Sequence, residues 1–386
     1  MSFDVVVVGG AGHVGLPLAL LLAESSRRKV AILDTNEQAI EKIKHGEMPF
    51  MEEGGQELLR LVLPNLAFTS WRSLNSVHTA IVCVGTPMKS EGPDLSAVFA
   101  CVYALLDSKT SLIVIRSTLP PGTMKRLQKV VGSKSMLAYC PERVVQGRAI
   151  EEIRALPQIV GAYDMEKSGM EAALLFQNIS SSTIYLTPEE AEYAKLLCNA
   201  YRYIKFAVAN QFHSMLHEDG IDYEKVRRAV TEQYPRMDLP SAGFAAGPCL
   251  QKDTEFLVNS QRKAVDSPTF SIQALAVNGM VPYQIRDFLW ENYFVGKTIG
   301  LLGMAFKANS DDRRDSLSYM LKNLLIASTF KVLTTDPYVK DSELVDLQTV
   351  LSESDVLVLC VPHSDYKGLR DKVTNKFVVD LWGLWR

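Results

Sequence analysis

The segment from Gly243 to Asp253 contains a cysteine in a setting suited to nucleophilic chemistry. Its sequence, Gly-Phe-Ala-Ala-Gly-Pro-Cys-Leu-Gln-Lys-Asp, places Cys249 in a loop of small residues, three positions before Lys252 and four before Asp253. Small residues let the backbone approach a substrate closely. A nearby ammonium group favours the thiolate, and a carboxylate can position water that hydrolyses an acyl-enzyme. The pattern therefore predicts a nucleophile at Cys249.

The histidines and the other cysteines do not indicate a second reactive or metal-binding site. His213 and His217 share a helical spacing, but the His-Glu-x-x-His pattern and a third ligand are missing, so no metal site is predicted. No Cys-x-x-Cys spacing occurs, which argues against a disulfide framework. Apolar or strand-like surroundings predict a buried, inert thiol at the five remaining cysteines, Cys83, Cys101, Cys140, Cys198 and Cys360.

A dinucleotide-binding fingerprint opens the chain. Gly10, Gly12 and Gly15 follow an apolar strand and begin a helix, and Asp34 ends the next strand nineteen residues after Gly15. The glycines serve the turn, the approach to pyrophosphate and helix packing, while the acidic residue accepts from ribose hydroxyls. Glycines used for packing alone would give the same local spacing. The complete pattern predicts a dinucleotide, and the absence of a cation after Asp34 favours NAD over NADP.

Two further polar residues follow predicted strands. Thr118 lies in Ser-Thr-Leu-Pro-Pro-Gly-Thr after one apolar run, and Glu142 lies in Pro-Glu-Arg after another. Ligand crevices of doubly wound sheets lie at the carboxyl ends of the strands, so both are candidates for substrate contact or acid/base chemistry. Taken alone, each residue is more typical of a turn.

A long helix is predicted from Pro188 to His217. Thr187 is suited to the N-cap, and glutamates occupy the first turns. Lys195 and Asn199 are four residues apart and share one face. An exposed pair of this kind is usually only solvated, and a partner from the Cys249 loop would be needed to make it part of a site. A helix of this length suits domain linkage or a dimer interface.

The apolar runs predict an α/β protein with two doubly wound Rossmann-like domains joined by the long helix and a helical domain. The expected boundaries are 1–186, 187–293 and 294–386, with an irregular loop at 234–253 and helices from there to about 293. Strands are predicted at 3–8, 29–33, 80–84, 111–115, 136–140, 298–302, 331–335, 356–361 and 377–381.

Composition limits the classes of partner. The chain has 386 residues, 47% of them hydrophobic and 22% charged, and its net charge of −3 gives no reason to bind nucleic acid or an anionic membrane. No leader segment and no membrane-spanning apolar run is evident, so a cytoplasmic location is expected. The expected partners are small molecules and other copies of the chain.

Together these motifs resemble the nucleotide-sugar 6-dehydrogenase family, which includes the UDP-glucose, GDP-mannose and UDP-N-acetylhexosamine dehydrogenases. The likeness covers essentially the whole chain, and the motifs occur in the same order and spacing. They are the segments 10–19, 85–87, 117–123, 141–143, 194–199, 247–253, 303–307 and 336–337.

The resemblance implies two NAD-dependent oxidations of a sugar C6 alcohol to a carboxylate. Attack by Cys249 on the aldehyde would give a thiohemiacetal, and loss of hydride would leave a thioester for water to cleave. The implied catalytic residues are Thr118, Glu142, Lys195, Asn199, Cys249 and Asp253. The implied cofactor contacts are Gly10, Gly12, His13, Val14, Gly15, Asp34, Gly85, Thr86 and Thr118. The implied substrate contacts are Glu142, Lys195, Asn199, Arg202, Arg236, Gly243, Lys307 and Arg313.

The resemblance further implies NAD binding by the first domain, nucleotide binding by the last and homodimerisation through the long helix. Its product would be a nucleotide-activated uronic acid of the kind used in surface polysaccharides. The sequence departs from the family pattern at Ala245-Ala246, Gln251 and Gln146. These departures alter loop shape and leave the sugar open.

Several functions stay open at this point. The segments 199–202 and 234–236 favour UDP-N-acetylmannosamine or UDP-N-acetylglucosamine, whereas Cys-Leu-Gln-Lys-Asp at 249–253 is closer to the UDP-glucose and GDP-mannose branches. A single-hydride dehydrogenase of the hydroxyacid type would need no nucleophilic cysteine. A non-catalytic sensor would bind NAD and nucleotide sugar without turning them over.

Overall fold

The structure is a computed structural model that describes residues 3–25, 28–74, 76–260, 269–292 and 294–385. The chain divides into two compact units, Met1–Cys198 and Asn199–Arg386. Both are α/β units with parallel sheets, and the predicted fold class is confirmed.

The first unit is built on an eight-stranded sheet in the order β10-β9-β8-β7-β4-β1-β2-β3, together with a small antiparallel pair formed by β5 and β6. Its strands are β1 (Phe3–Val8), β2 (Val30–Leu33), β3 (Leu66–Phe68), β4 (Val77–Val82), β5 (Met88–Lys89), β6 (Gly92–Pro93), β7 (Leu112–Ile115), β8 (Met136–Tyr139), β9 (Gln158–Gly161) and β10 (Thr183–Leu186). Neighbouring strands of the large sheet are parallel except β8 and β9. The carboxyl ends of β1, β4, β7 and β8 therefore meet at one edge.

Both faces of this sheet are covered, because alternate side chains of a strand point to opposite faces. Val5 and Val7 join a core that includes the apolar residues 18–23 of the first helix, and Val6 and Val8 join a second core on the other face. The helices of this unit are α1 (Gly15–Ser25), α2 (Glu37–Lys44), α3 (Gly55–Val62), α4 (Ser96–Asp107), α5 (Thr123–Val131), α6 (Ala149–Ala155) and α7 (Met170–Phe176).

The long helix predicted in mid-chain is α8 (Pro188–Glu218). Its start is a capping box, in which the Glu190 backbone N–H donates to Thr187 Oγ1 at 3.3 Å. The Thr187 N–H in turn donates to the Glu190 carboxylate at 2.8 Å. Two backbone donors are thus satisfied reciprocally. The prediction of the helix and its N-cap is confirmed.

The second unit has a four-stranded parallel sheet in the order β12-β11-β13-β14. Its strands are β11 (Thr298–Leu302), β12 (Lys331–Thr335), β13 (Val356–Leu359) and β14 (Phe377–Val379). Its remaining helices are α9 (Tyr223–Thr231), α10 (Leu250–Ser260), α11 (Phe270–Glu291), α12 (Leu317–Ala327) and α13 (Leu347–Glu353).

The sequence prediction was wrong in three local respects. The strand expected at 80–84 runs from Val77 to Val82, and the strands β3, β5, β6, β9 and β10 were not predicted. The irregular loop expected at 234–253 ends at Cys249, because α10 begins at Leu250. Helical sequence was predicted from there to about 293; its positions 261–268 and 293 lie outside the described residues.

A buried asparagine ties three elements of the second unit together. Asn210 on α8 accepts a hydrogen bond from the Gly243 N–H at 2.8 Å and donates to the Gly243 carbonyl at 3.0 Å. Its amide also donates to Asn278 Oδ1 on α11 at 2.9 Å, and Asn278 donates to the Tyr203 carbonyl at 3.0 Å. This network holds the segment that leads to Cys249.

Asn210→Ala is expected to lower the free energy of unfolding by about 2 to 3 kcal/mol, because two buried backbone groups of Gly243 lose their partner. Urea unfolding followed by tryptophan fluorescence measures this, since three of the four tryptophans, at 290, 382 and 385, lie in the second unit. The control Asn259→Ala, at an exposed position of α10, should stay within about 0.5 kcal/mol of the wild type. A wild-type transition in Asn210→Ala would contradict this role.

Candidate active site

The glycine turn after β1 is open to a ligand at Gly12, whereas its other glycines are closely packed. A side-chain carbon at Gly15 would overlap the Gly9 carbonyl, so Gly15 allows α1 to start against the turn. A carbon at Gly12 would meet only the Gly9 oxygen, at 3.6 Å, and would project into open space. His13 and Val14 are partly exposed beside it. The turn therefore presents open backbone at a helix N-terminus, as a pyrophosphate requires.

Asp34 holds this turn from the end of β2. One carboxylate oxygen accepts from the Ala11 N–H and the other from the Asn36 N–H, both at 2.9 Å. The residue remains partly exposed. Since each oxygen can accept a second hydrogen bond, the carboxylate retains capacity for the ribose hydroxyls of a dinucleotide. The residues of the first turn thus fit NAD.

The predicted residues Thr86 and Thr118 come together at the ends of β4 and β7. Thr86 is buried, and its hydroxyl donates to the Thr118 carbonyl at 2.8 Å. Ser117 reinforces the same junction by donating to the Val84 carbonyl at 2.7 Å. Gly85 is exposed and Thr118 is partly exposed. These contacts fix the two loops beside each other and leave the Thr118 side chain at their surface.

Glu142, after β8, is held by an arginine that sequence analysis missed. Arg116 is 2% exposed and forms an ion pair with the Glu142 carboxylate. It also donates to Gln158 Oε1 at 2.9 Å and lies over the Phe176 ring. The other Glu142 oxygen accepts from the backbone N–H groups of residues 143 and 144 at 2.7 and 3.0 Å. Arg116 and these two backbone groups together fix the position of the Glu142 carboxylate.

The only sequence signal for this arginine was its place directly after an apolar strand. Lysine and arginine are almost never fully buried unless they are paired. The sequence does not show the burial of Arg116, so its pairing with Glu142 was not predictable.

A buried glutamate links α8 to the turn that follows Thr118. Glu192 accepts from the backbone N–H groups of Gly122 and Met124, each at 2.6 Å, at the start of α5. Burial raises the pKa of Glu192 to about 7, although these N–H groups act in the opposite direction. Lys195 follows one turn later on α8 and is 7% exposed. Glu192 was not predicted, because a glutamate in the first turns of a helix is usually a surface residue.

Cys249 differs from the buried cysteines of the chain. It is exposed and directly precedes α10, where its carbonyl accepts from the Asp253 N–H at 3.0 Å. A thiolate here would lie at the positive end of a helix dipole. In contrast, burial raises the pKa of Cys140 to about 12 and that of Cys101 to about 11.

Two of the cysteines predicted to be buried are at least partly exposed. Cys198 was expected to be buried but is exposed, because it lies on an outward-facing position of α8. Cys83 is only partly covered at its surface, yet burial raises its pKa to about 12.

Two of the predicted catalytic residues, Asn199 and Asp253, are brought together. The Asn199 amide donates to an Asp253 oxygen at 2.6 Å, and both side chains are buried. The other Asp253 oxygen pairs with the Lys252 ammonium at 3.0 Å, and that ammonium also lies over the Phe256 ring. Lys195 and Asn199 are both buried, so they are not the exposed, solvated pair that was the alternative, and Asp253 from the Cys249 segment contacts Asn199.

The segment before Cys249 fits against two aromatic rings. Gly243 packs on Trp382 and Gly247 on Phe306 so closely that a side-chain carbon at either glycine would overlap the ring. Gly247 also has φ = +95°, and its N–H donates to the Asp315 carbonyl at 3.2 Å. Close packing and left-handed backbone together explain why this segment needs glycine.

The structure separates two adjacent arginines that the sequence could not distinguish. The predicted Arg313 is exposed and pairs with Asp341 at 2.5 Å. Arg314 instead forms a bidentate pair with Asp312. These hydrogen bonds raise the pKa of Arg314, and the charge of Cys249 contributes in the same direction. Arg314 is thus a cation within electrostatic reach of Cys249.

The remaining predicted substrate residues are at least partly exposed. Arg202 is exposed on α8, and Arg236 is exposed with its guanidinium over the Tyr234 ring. Lys307 is partly exposed in the turn after β11.

In the turn after β11, as in the first unit, an aspartate accepts from the backbone N–H groups of the turn. Here, however, the aspartate side chain is fully buried. Asp336 ends β12 and accepts from the Met304 and Ala305 N–H groups at 2.6 and 2.9 Å. It also accepts from the N–H groups of residues 338 and 339 and from His363. Burial alone would raise its pKa, but these donors lower the pKa of Asp336 to about 2. With its side chain fully buried, Asp336 has no room for a ribose.

Two classes of feature are not found. The described residues include no group of three or more histidine, cysteine or acidic side chains arranged for a metal ion, and the rings of His213 and His217 stack on each other. Within the same ranges, every helix is too short or too polar to cross a membrane.

Comparison with known proteins covers almost the whole chain. Three family models of the UDP-glucose/GDP-mannose dehydrogenase family match it: the NAD binding domain at residues 4–180, the central domain at 189–279 and the UDP binding domain at 300–386.

Individual relatives agree with these models. A UDP-N-acetyl-D-mannosamine dehydrogenase of Methanococcus maripaludis is 30% identical over 97% of this chain and 92% of its own length. The solved UDP-D-ManNAc dehydrogenase of Pyrococcus horikoshii has a TM-score of 0.90 and 26% identity, covering 100% of this chain and 96% of its own. A UDP-glucose dehydrogenase of Pyrobaculum islandicum has a TM-score of 0.88 at 24% identity, covering 99% and 98%. The fold is therefore shared by enzymes named for different sugars.

The buried Glu192 predicts a pH-dependent difference between the wild type and Glu192→Gln. Because the pKa is raised on folding, the wild type loses stability as pH rises from about 5 to 8, whereas the amide does not titrate. The stability of the wild type relative to the variant should fall by on the order of 1 to 2 kcal/mol across this range. Urea unfolding at pH 5, 6, 7 and 8 measures it, and a constant difference would contradict the assignment.

Proposed function

The chain belongs to the UDP-glucose/GDP-mannose dehydrogenase family as an NAD-dependent nucleotide-sugar dehydrogenase, and from this premise we propose that it oxidises UDP-N-acetyl-D-mannosamine at C6 to the uronic acid. The observation that carries the proposal is the exposed Cys249 at the start of α10, beside the buried pair Asn199 and Asp253. A dehydrogenase that stopped at one oxidation would not need this nucleophile.

NAD, when bound, accepts a hydride in each of the two oxidations. The glycines of the turn after β1 and Asp34 would hold it, and the open space beside Gly12 would admit its pyrophosphate. His13, Val14, Gly85 and Thr86 border the same edge of the sheet and complete the proposed contacts.

The sugar is proposed from the names of the relatives. Two of the similar proteins are named as UDP-N-acetyl-D-mannosamine or UDP-D-ManNAc dehydrogenases, including the one at 30% identity. UDP-N-acetylglucosamine, UDP-glucose and GDP-mannose are the alternatives that the experiment below compares. The proposed product is a nucleotide-activated uronic acid, of use in polysaccharide synthesis.

The second oxidation is the chemically demanding one. An aldehyde carbon has no alkoxide that could expel its hydride. The Cys249 thiolate adds to the aldehyde carbon and forms a C–S bond, and the oxyanion of this thiohemiacetal expels the hydride to leave a thioester. Water then cleaves the C–S bond, which returns the thiolate and releases the carboxylate. The sum consumes one water and two hydride acceptors per sugar.

Each of the predicted catalytic residues other than Cys249 has a proposed part in these steps. Lys195 and Asn199 stabilise the negative charge that develops on the substrate oxygen. Asp253 holds Asn199 and positions the hydrolytic water, and Glu142, held by Arg116, is the proposed general base. Thr118 orients the water at the end of β7.

The nucleotide part of the substrate is assigned to the second unit. We propose that Lys307, Arg313, Arg202, Arg236 and the backbone at Gly243 contact it. The proposed domains are 1–186 for NAD, 187–293 for the Cys249 segment and dimerisation, and 294–386 for the nucleotide.

We further propose a homodimer formed through α8. Six apolar side chains of this helix are at least 37% exposed, and their spacing places them within about 100° of arc on one helix face. They are Tyr193, Leu197, Tyr201, Val208, Phe212 and Met215. An exposed apolar stripe of this length is typical of an interface rather than of solvent.

The sequence left two other functions open, a hydroxyacid-type dehydrogenase and a non-catalytic sensor. A hydroxyacid-type enzyme would carry out only one oxidation, and a non-catalytic sensor would bind its ligands without turnover. The number of NADH molecules formed per sugar tells these apart from the proposal.

Limiting UDP-N-acetylmannosamine is expected to yield two NADH per sugar with the wild type. Cys249→Ala should form no thioester and lose the second oxidation, so that kcat for acid formation falls by at least about 10³-fold. Absorbance at the NADH band and mass spectrometry of the sugar product measure both. The exposed Cys198→Ala is the matched control and should behave as the wild type.

Three results would contradict parts of this proposal. One NADH per sugar would exclude the four-electron reaction. Acid formation at the wild-type rate by Cys249→Ala would exclude Cys249 as the nucleophile. Two NADH only from UDP-N-acetylglucosamine, UDP-glucose or GDP-mannose would keep the chemistry and change the substrate.

The proposed interface predicts that Leu197→Glu and Phe212→Glu shift the molar mass from a dimer toward the 42.9 kDa chain. A buried carboxylate without a partner is costly at an apolar interface. Size-exclusion chromatography with light scattering measures the mass. Gln177→Glu makes the same charge change at an exposed site outside the stripe and should leave the mass unchanged. A monomeric wild type would exclude the dimer.

A further inference from the structure

The turn that carries Lys307 is held by a buried histidine for which neither the family models nor the catalytic chemistry supplies a role. His363, at 0% exposure, follows β13. Its Nδ1 accepts from the Asn309 backbone N–H at 3.0 Å, and its Nε2 lies 3.1 Å from an Asp336 oxygen. The rings of Tyr338 and Tyr366 pack on it edge-on. The imidazole thus bridges β12 and the turn after β11.

The partners of the two ring nitrogens assign the tautomer. An N–H group can only donate, so Nδ1 must carry the lone pair, and Nε2 therefore carries the proton that it donates to Asp336. Each nitrogen has a different task. Nε2 anchors the ring to a carboxylate that is already ordered, and Nδ1 fixes the backbone of Asn309.

Asn309 is a position where the backbone needs such support. Its φ of +53° is in the left-handed region, which is uncommon for residues other than glycine. Its side-chain oxygen accepts from the Ser364 N–H and hydroxyl, both at 3.0 Å. Residues 363 and 364 therefore hold Asn309 at both its backbone and its side chain.

Segment 304–309 is consequently fixed at its two ends. Asp336 binds the N–H groups of residues 304 and 305, and His363 binds that of residue 309. Between them, the Phe306 N–H donates to the Asp312 carbonyl at 2.9 Å, and the Phe306 ring packs on Gly247. Lys307 lies in the middle of the clamped segment, two residues before Asn309.

We propose that His363 is a positioning residue that holds segment 304–309, and with it Lys307, in the conformation that binds the diphosphate of the substrate's nucleotide. The inference rests on the proposed function, because it takes the second unit as the nucleotide site. It adds that affinity for the nucleotide depends on a residue that does not touch it. In the first unit the equivalent turn lacks this arrangement, since Asp34 is partly exposed and holds its turn through a single N–H group of that turn.

Three substitutions separate the two links of the imidazole. His363→Phe removes both. His363→Asn places an amide oxygen near the position of Nδ1 and keeps the link to Asn309, whereas His363→Gln places an amide nitrogen near Nε2 and keeps only the link to Asp336. Isothermal titration of the full chain with UDP and, separately, with NAD measures the effect.

The expected result is a rise in the Kd for UDP of about tenfold in His363→Phe and His363→Gln, but no more than about threefold in His363→Asn. The Kd for NAD should stay within about twofold of the wild type in all three, since NAD binds the other unit. Tyr338→Phe is the matched control, because it keeps the ring against His363 and removes only the hydroxyl bonded to the exposed Asp365.

Each other outcome has a distinct meaning. An unchanged Kd for UDP in His363→Phe overturns the positioning role. Equal loss in His363→Asn and His363→Gln, or parallel loss of UDP and NAD binding, shows a general structural role and also overturns it. If the wild type binds no UDP, the proposed nucleotide site fails instead. Should His363→Phe fail to fold, the comparison of the Asn and Gln variants still decides.

Discussion

Unpaired backbone N–H groups at the turns after parallel strands are the constraint on which this structure depends. A strand that ends at a turn leaves donors without a sheet partner, and a buried donor must find an acceptor. Carboxylates supply it repeatedly. Asp34, Glu142, Glu192 and Asp336 each accept from one or more N–H groups at a strand-to-helix turn. The same edge that could bind a ligand is therefore held in shape by acidic side chains.

The number of hydrogen bonds that each carboxylate already accepts determines whether it can also bind a ligand. Asp34 accepts from two backbone N–H groups and is partly exposed, so it can still accept from a ribose. Asp336 has four N–H donors and an imidazole and is buried, so it is purely structural. Two units with related sheets thus offer different sites. The difference follows from the number of donors around one aspartate rather than from the fold.

The cysteine segment obeys a different constraint, which is close packing. Gly243 and Gly247 lie flat against Trp382 and Phe306, and Asn210 bonds both backbone groups of Gly243. This leaves Cys249 exposed where α10 begins, with Asp253 one turn later against Asn199. Rigidity before the cysteine and exposure at the cysteine are what a nucleophile needs, since its thiol must meet a substrate in a defined direction. The aromatic residues that provide this rigidity are more than 50 residues away in sequence.

Local patterns in the sequence determined much of this protein. Apolar runs of strand length predicted most of the two large sheets, and the capping box at Thr187 predicted the start of the long helix, because each depends on residues close together in the chain. The glycine fingerprint with Asp34 predicted NAD, and the setting of Cys249 predicts a nucleophile, for the same reason. Burial and pairing across long separations were decided only by the tertiary structure. Three such contacts leave no local signal: Arg116 with Glu142, Glu192 with the start of α5, and His363 with Asp336 and Asn309. The reason is physical: a polar side chain is stable in the interior only when a distant partner is folded against it, and a sequence does not display that partner.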